Sequence, residues 1–247
     1  MAHYKSIVAY DGTDFYGFQR QSEESNLRTV QSEIETRLKQ LGWTEKSILA
    51  AGRTDTGVHA SGQVISFNLA WRHTEKELAA ALNAGMPDAI AIKSIEEIDR
   101  HFHPRFDAVS RRYIYRIYIQ PIRDPLQDRF AWRVWPEVDE DRMNEAARIL
   151  VGNHNFRKFG SPTKTGGSTE RNVIQSEWRR NAESLVYEVK ANAFLYHMVR
   201  RTVKLLVAVG HSRLNVKNIR EMLDFEDDKG PQGIAPPNGL ILEEVIY

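Results

Sequence analysis

The order of strands and helices repeats along this chain, and this repetition limits the possible folds more than any other feature. In the first half the hydrophobic pattern predicts β-α-β-β-α-β, with an alternating strand at 3–10 and a helix at 29–42. From residue 110 a similar order follows, with a strand, a helix, a hairpin, further helices and a last strand. We therefore expect an α+β protein of two ferredoxin-like halves, 1–103 and 104–247, that share one mixed, mainly antiparallel sheet.

Capping residues mark where several helices begin. Thr29, Asp139 and the Thr74–Glu77 pair come directly before helical patterns, where their oxygens can accept bonds from unpaired backbone N–H groups. Further along we predict one long, mostly apolar helix over 192–210. Four basic residues fall at helical spacing on it: His197, Arg200, Arg201 and Lys204. We expect an arginine of this stripe to require a carboxylate or phosphate partner, for which Asp55 is a candidate.

Composition excludes several classes of protein. Of 247 residues, 41% are hydrophobic and 27% are charged, as in folded globular proteins, and no apolar run is long enough to cross a membrane. The sequence lacks a secretory signal pattern, so we expect a cytoplasmic protein without a membrane partner. It has no cysteine, which excludes disulfides and thiolate metal sites. The motifs of dinucleotide, triphosphate and serine-hydrolase sites are absent as well.

Charge is unevenly distributed, although the net charge is only +1. Residues 100–133 contain eight arginines and no lysine, and residues 189–220 contain seven basic side chains and no acidic one. Arginine suits planar recognition of phosphates and stacking on bases. The alternative for each run is a solvated surface without a specific partner.

One carboxylate, Asp55, lies in the glycine-rich segment "AGRTDTGVHASGQVISF" at 51–67, ahead of an alternating strand. A loop at the end of a strand can present such a group to a cleft. A guanidinium nearby, such as that of Arg53, favours the ionised form of a carboxylate where substrate excludes water. Asp55 is therefore a candidate nucleophile or base. The alternative is a turn aspartate that caps its own backbone.

The strand "SRRYIYRIYI" at 110–119 alternates aromatic and basic residues. Tyr113 and Tyr115 share one face, and Arg112 and Arg116 share the other. Such a surface can stack an unpaired base and hold a phosphate, as recognition of single-stranded RNA requires. The alternative is that the tyrosines pack in the core, which we favour for Tyr115.

Five blocks in this order resemble the tRNA pseudouridine synthase A family, and together they run through nearly the whole chain. They are "YDGTDFYGFQRQ" at 10–21, the 51–67 segment, "FHPRFDAVSRRYIYRI" at 102–117, "FLYHMVRRTV" at 194–203 and "APPNGLILEEVIY" at 235–247. The resemblance implies the pseudouridine synthase fold, with helices on one side of the sheet and an RNA cleft on the other. It implies an isomerase that converts uridine to pseudouridine in the anticodon stem-loop of tRNA. It also implies a homodimer that needs no cofactor and no metal.

The resemblance also assigns roles to individual residues. The catalytic aspartate of the family falls on Asp55. Tyr113 is implied to contact the target uracil, Arg53 to lie in the cleft, Arg200 to pair with the aspartate, and Leu240 to pack under the base. We take five further basic residues as candidates for contacts with the RNA backbone: Arg20, Arg111, Arg112, Arg201 and Lys204.

Two other functions remain open at this point. The chain is alternatively a non-catalytic RNA-binding or RNA-remodelling protein of the same fold, or a nucleoside glycosidase that releases free uracil.

Phe18 and Thr56 depart from the family's usual tryptophan and alanine, which affects the positioning of RNA more than the chemistry. Whether Asp55 attacks the sugar or removes a sugar proton is not determined by the sequence.

Overall fold

The computed structural model describes residues 1–21, 27–182, 184–224, 230 and 232–247. Backbone contacts divide the chain into two units, Met1–Val109 with Ile241–Tyr247, and Ser110–Leu240. The elements of the first unit are β1 (Ala2–Tyr10), α1 (Val30–Gln40), β2 (Leu49–Ala50), β3 (His59–Leu69), α2 (Glu75–Asn83), β4 (Ile90–Glu97) and most of β10 (Leu240–Ile246).

The first unit has the ferredoxin-like strand order. β1 lies between β4 and β3, and β2 pairs with β3, all antiparallel. The face of the sheet and the helices bury apolar side chains such as Val8, Ile34 and Leu78. At the start of β3, His59 and Ala60 pair in parallel with Ile241 and Leu242 of β10. The last residue is also fixed in this unit, because the Tyr247 hydroxyl donates to the carbonyl of Pro104 (2.8 Å).

The predicted helix caps are confirmed. The Thr29 hydroxyl accepts from the Ser32 N–H (3.2 Å), and the Asp139 carboxylate accepts from the Arg142 N–H (3.0 Å). Thr74 and Glu77 form the predicted capping box, in which each side chain accepts from the other's backbone N–H. These local signals therefore fix where α1, α2 and the helix after Asp139 begin.

The second unit is also α+β, as predicted. Its elements are β5 (Ser110–Ile119), β6 (Trp132–Val134), α3 (Glu140–Ile149), β7 (Gly152–Asn155), β8 (Glu170–Asn181), β9 (Ser184–Ala191), α4 (Met198–Gly210) and α5 (Val216–Asp224). The strand order is β5-β9-β8-β7, with β6 pairing parallel to β5 and the other pairs antiparallel. The predicted hairpin is the β8–β9 pair, whereas the short strands β6 and β7 were not predicted.

The long helix predicted over 192–210 begins only at Met198, so that prediction is wrong at its N-terminal end. Tyr196 and Ser161 exchange two backbone hydrogen bonds, which use the groups that a helix would need. His197 has φ 64°, a left-handed conformation that helices do not contain. The basic stripe on α4 therefore consists of Arg200, Arg201 and Lys204, and the His197 ring stacks on Tyr196 instead.

In the parts of the chain that the structure describes, no helix combines the length and apolar character that crossing a membrane requires.

Candidate active site

Asp55 is half-buried in a tight turn that leads into β3. Its backbone carbonyl accepts from the Val58 N–H (3.1 Å), which closes the turn. Gly57 inside the turn has φ 76°, a conformation that glycine adopts without the steric cost of a Cβ. The backbone of the turn thus fixes the position of the carboxylate directly before the strand.

A second loop, at 15–18, packs against this turn. The Phe18 N–H donates to the Thr54 carbonyl (3.1 Å), and the Gly57 N–H donates to the Phe15 carbonyl (3.4 Å). Gly17, with φ 84°, comes so close that a Cβ there would lie 2.8 Å from the Thr54 oxygen. The two loops therefore form one interlocked structure around Asp55.

Side chains on both sides of Asp55 are anchored to the end of β1. The Tyr10 and Thr54 hydroxyls are 2.7 Å apart, and both residues are buried. Buried His59 accepts at Nδ1 from the Gly12 N–H (3.0 Å) and lies 3.1 Å from an Asp11 carboxylate oxygen. None of these residues was among the predicted site residues, although the 10–21 and 51–67 blocks contain them.

Arg53 is exposed on the same turn, two residues before Asp55. Among the residues that the structure describes, no hydrogen bond or ion pair to the Arg53 side chain occurs. Its side chain is exposed to solvent.

In the second unit, Tyr113 is half-buried on β5, and its ring packs edge-on against Phe194 with the centroids 5.1 Å apart. Tyr115, two residues further, is completely buried, which confirms the core position that we favoured for it. Its hydroxyl donates to the Pro236 carbonyl (2.8 Å). Burial raises the pKa of the Tyr115 phenol, and the positive charge of Arg200 opposes this rise.

The segment 235–240 joins Arg200 and Leu240 to this tyrosine. The Arg200 Nε donates to the Ala235 carbonyl (2.8 Å), and the Ala235 N–H donates back to the Arg200 carbonyl (3.1 Å). Gly239 packs so closely on Tyr115 that a Cβ would lie 2.6 Å from the ring. Leu240 follows and is buried. The second unit thus brings Arg200 and the chain before Leu240 onto Tyr115.

The candidates for contact with the RNA backbone differ in their surroundings. The Arg20 Nε lies 3.6 Å from buried Glu35, and Arg112 lies 3.4 Å from Glu188. Arg111 donates to the carbonyl of Asn192 (2.8 Å). Arg201 and Lys204 are half-buried on α4, and the Lys204 ammonium lies 5.1 Å from the centre of the Trp132 ring.

Within the described ranges, no three histidine or carboxylate side chains are grouped so that they could hold a metal ion.

The sequence matches the family described as tRNA pseudouridine synthase over residues 7–107 and 146–247. A tRNA pseudouridine synthase A from Brevibacillus brevis is 38% identical over 247 residues, with 100% of both chains covered. The protein of that name from Thermotoga neapolitana is 36% identical over 253 residues, again with 100% of both covered. That from Pseudoalteromonas atlantica is 35% identical over 240 residues, 97% of this chain and 90% of its own. The chain therefore belongs to the tRNA pseudouridine synthase family, whose members are isomerases of α+β fold.

Proposed function

We propose that this pseudouridine synthase modifies uridine in the anticodon stem-loop of tRNA and that Asp55 is its catalytic carboxylate. Family membership supports tRNA as the substrate. The observation that carries the assignment of Asp55 is its turn, which Gly17, Thr54 and Gly57 hold in one conformation next to exposed Arg53. Catalytic groups require this kind of fixed geometry.

The reaction breaks the N1–C1′ bond of uridine and forms a C5–C1′ bond, with one ring proton lost from C5 and one gained at N1. The leaving uracil is a delocalised anion that stays in the pocket and becomes the nucleophile. One carboxylate is therefore sufficient, whereas a retaining glycosidase uses two carboxylates and water. Asp55 either attacks C1′ or removes a sugar proton to give a glycal, and both routes use the ionised form.

The target base must leave its stack before the carboxylate can reach the sugar. We assign Tyr113 to contact with the extruded uracil, Leu240 to the apolar floor under it, Arg53 to the cleft and Arg200 to charge balance with the aspartate. The partial exposure of Tyr113, beside completely buried Tyr115, supports its assignment as the tyrosine that contacts the substrate. A homodimer and a cytoplasmic location stay predictions, and the mass in solution tests the first.

The experiment is incubation with unmodified tRNA, followed by mapping of pseudouridine at single-nucleotide resolution. We expect product in the 3′ arm of the anticodon stem-loop and no release of free uracil. Asp55→Ala should abolish turnover while tRNA affinity is kept. A non-catalytic RNA-binding protein would show no product with either form, and a glycosidase would release uracil.

A further inference from the structure

Arg171, at the start of β8, carries a charge that no acidic side chain balances among the residues that the structure describes. Its Nη1 donates to the carbonyls of Ser168 (2.9 Å) and Glu170 (2.5 Å), which are neutral groups. Its Nε is buried and has no hydrogen-bond partner among the described residues. In those same residues, no carboxylate forms an ion pair with Arg171. A buried donor without a partner is unusual and requires an explanation.

Burial lowers the pKa of the Arg171 guanidinium, because removal from water disfavours the charged form. An arginine nevertheless stays charged at neutral pH. Arg171 as a whole is only half-buried, so an anion can reach the outer nitrogens of its guanidinium, and the planar fork of these nitrogens matches phosphate oxygens in particular.

The loop that precedes Arg171 is basic and closed at its base. Residues 156–169 contain Arg157, Lys158 and Lys164 and no acidic residue. The Phe156 N–H donates to the Thr169 carbonyl (3.0 Å), and the Thr169 hydroxyl donates to the Asn155 side chain (2.7 Å). The loop therefore adds three positive charges to the part of the chain that leads into Glu170 and Arg171.

The strand register places Arg111 on the same face as Arg171. Arg111 is opposite Ala191 of β9, and Ala191 is opposite Val173 of β8. Arg171 lies two residues before Val173, so its side chain points to the same face. The two arginines are separated by two strand spacings, about 10 Å, across the sheet and by two residues, about 7 Å, along the strands. Tyr113 shares this face, two residues after Arg111.

We propose that Arg171 and Arg111 form a site for backbone phosphates of tRNA on the second unit. The inference rests on the proposed function, because tRNA supplies the anion. It adds a phosphate-binding residue, Arg171, to the five basic candidates considered from the sequence. It also places the backbone contact on the face that carries Tyr113.

Arg171→Gln in the full chain tests the proposal. Its binding to unmodified tRNA is measured by fluorescence anisotropy at several salt concentrations. We expect about tenfold weaker binding, since a charge-assisted hydrogen bond is lost. The slope of log affinity against log salt should fall in magnitude by about one. Arg171→Lys should keep the slope while it loses part of the affinity.

Arg179→Gln is the matched control. Arg179 lies on the same strand, is well exposed and pairs with Glu177, so its loss should leave tRNA binding unchanged. Melting temperatures of all variants separate loss of fold from loss of binding.

Three results would overturn the proposal. In the first, Arg171→Gln leaves the affinity and salt slope unchanged. In the second, Arg171→Lys and Arg171→Gln lower the melting temperature and the affinity equally, which indicates a structural role. In the third, the substitution changes the mass in solution, which assigns the guanidinium to a carboxylate of a second copy. If Arg171 contributes to salt-dependent binding of tRNA but no pseudouridine forms, the result would contradict the proposed function and still support the phosphate site.

Discussion

The hydroxyls of Tyr10 and Thr54 lie 2.7 Å apart in a buried site, one residue before the candidate catalytic Asp55. The two residues are 44 positions apart in sequence, so the bond joins the end of β1 to the Asp55 turn. It fixes the backbone that carries the carboxylate without contact to the reacting atoms. Thr54 is therefore a positioning residue in the proposed reaction.

Thr54→Val should reduce kcat and leave the Kd for tRNA unchanged. The variant keeps the shape of the side chain but leaves the Tyr10 hydroxyl without this partner. A displacement of the carboxylate by 1 Å can cost about 100-fold in rate. Thr54→Ser keeps the hydroxyl and should restore most of the activity. Equal activity of the valine and serine variants in single-turnover kinetics would contradict the positioning role.

Gly17→Ala should destabilise the protein more than Gly42→Ala. Both glycines have positive φ, 84° and 91°, so alanine strains the backbone at each site by about 1 kcal/mol. At Gly42 no atom lies within 4 Å of the added Cβ, whereas at Gly17 the Thr54 carbonyl would be 2.8 Å away. The difference between the two denaturation midpoints measures this contact. We expect only Gly17→Ala to lower kcat as well.

Glu45 should make stability depend on pH in the acid range. Burial by itself would raise the pKa of Glu45, but hydrogen bonds from Asn68 and Trp43 outweigh it and hold the pKa below its usual value. The folded state then favours the ionised form, so this stabilisation is present above the unfolded pKa and is lost as the pH falls through the folded pKa. Unfolding of the wild type and Glu45→Gln, measured from pH 6 to pH 3, should show a difference that shrinks on acidification. A constant difference would contradict this assignment.

Arg20→Gln should lower the free energy of unfolding by about 1–3 kcal/mol, because buried Glu35 then loses a charged neighbour. The Glu35 carboxylate would keep its bonds from Gln31 (2.7 Å) and the Ile48 N–H (3.1 Å).

Urea denaturation measures the effect of Arg20→Gln on the free energy of unfolding. The control is Arg28→Gln, which removes an exposed ion pair with Glu33. A change in the salt slope of tRNA binding would show that Arg20 also contacts phosphate.

The parts of the fold that the sequence predicted are those that local chemistry determines. The caps Thr29, Thr74 and Asp139 act within one helical turn, so their spacing alone locates the helix starts. The glycine-rich turn around Asp55 is local in the same sense.

The structural features that the sequence did not predict depend on contacts between residues far apart in the chain. The start of α4 is set by bonds between Tyr196 and Ser161, which compete with helix formation across 35 residues. The Tyr10–Thr54 bond and the burial of the Arg171 Nε likewise depend on tertiary neighbours, and composition and periodicity carry no signal for them.

The parallel pairing of β10 with β3 has a consequence for synthesis of the chain. Ile241 and Leu242 pair with His59 and Ala60, which follow the Asp55 turn directly. The ribosome must make residues 110–240 before it makes these partners, so a nascent first unit lacks one neighbour of β3 at the turn. We therefore expect the turn that carries the candidate catalytic Asp55 to become fully ordered only when the last strand emerges, and partly translated chains to be inactive on tRNA.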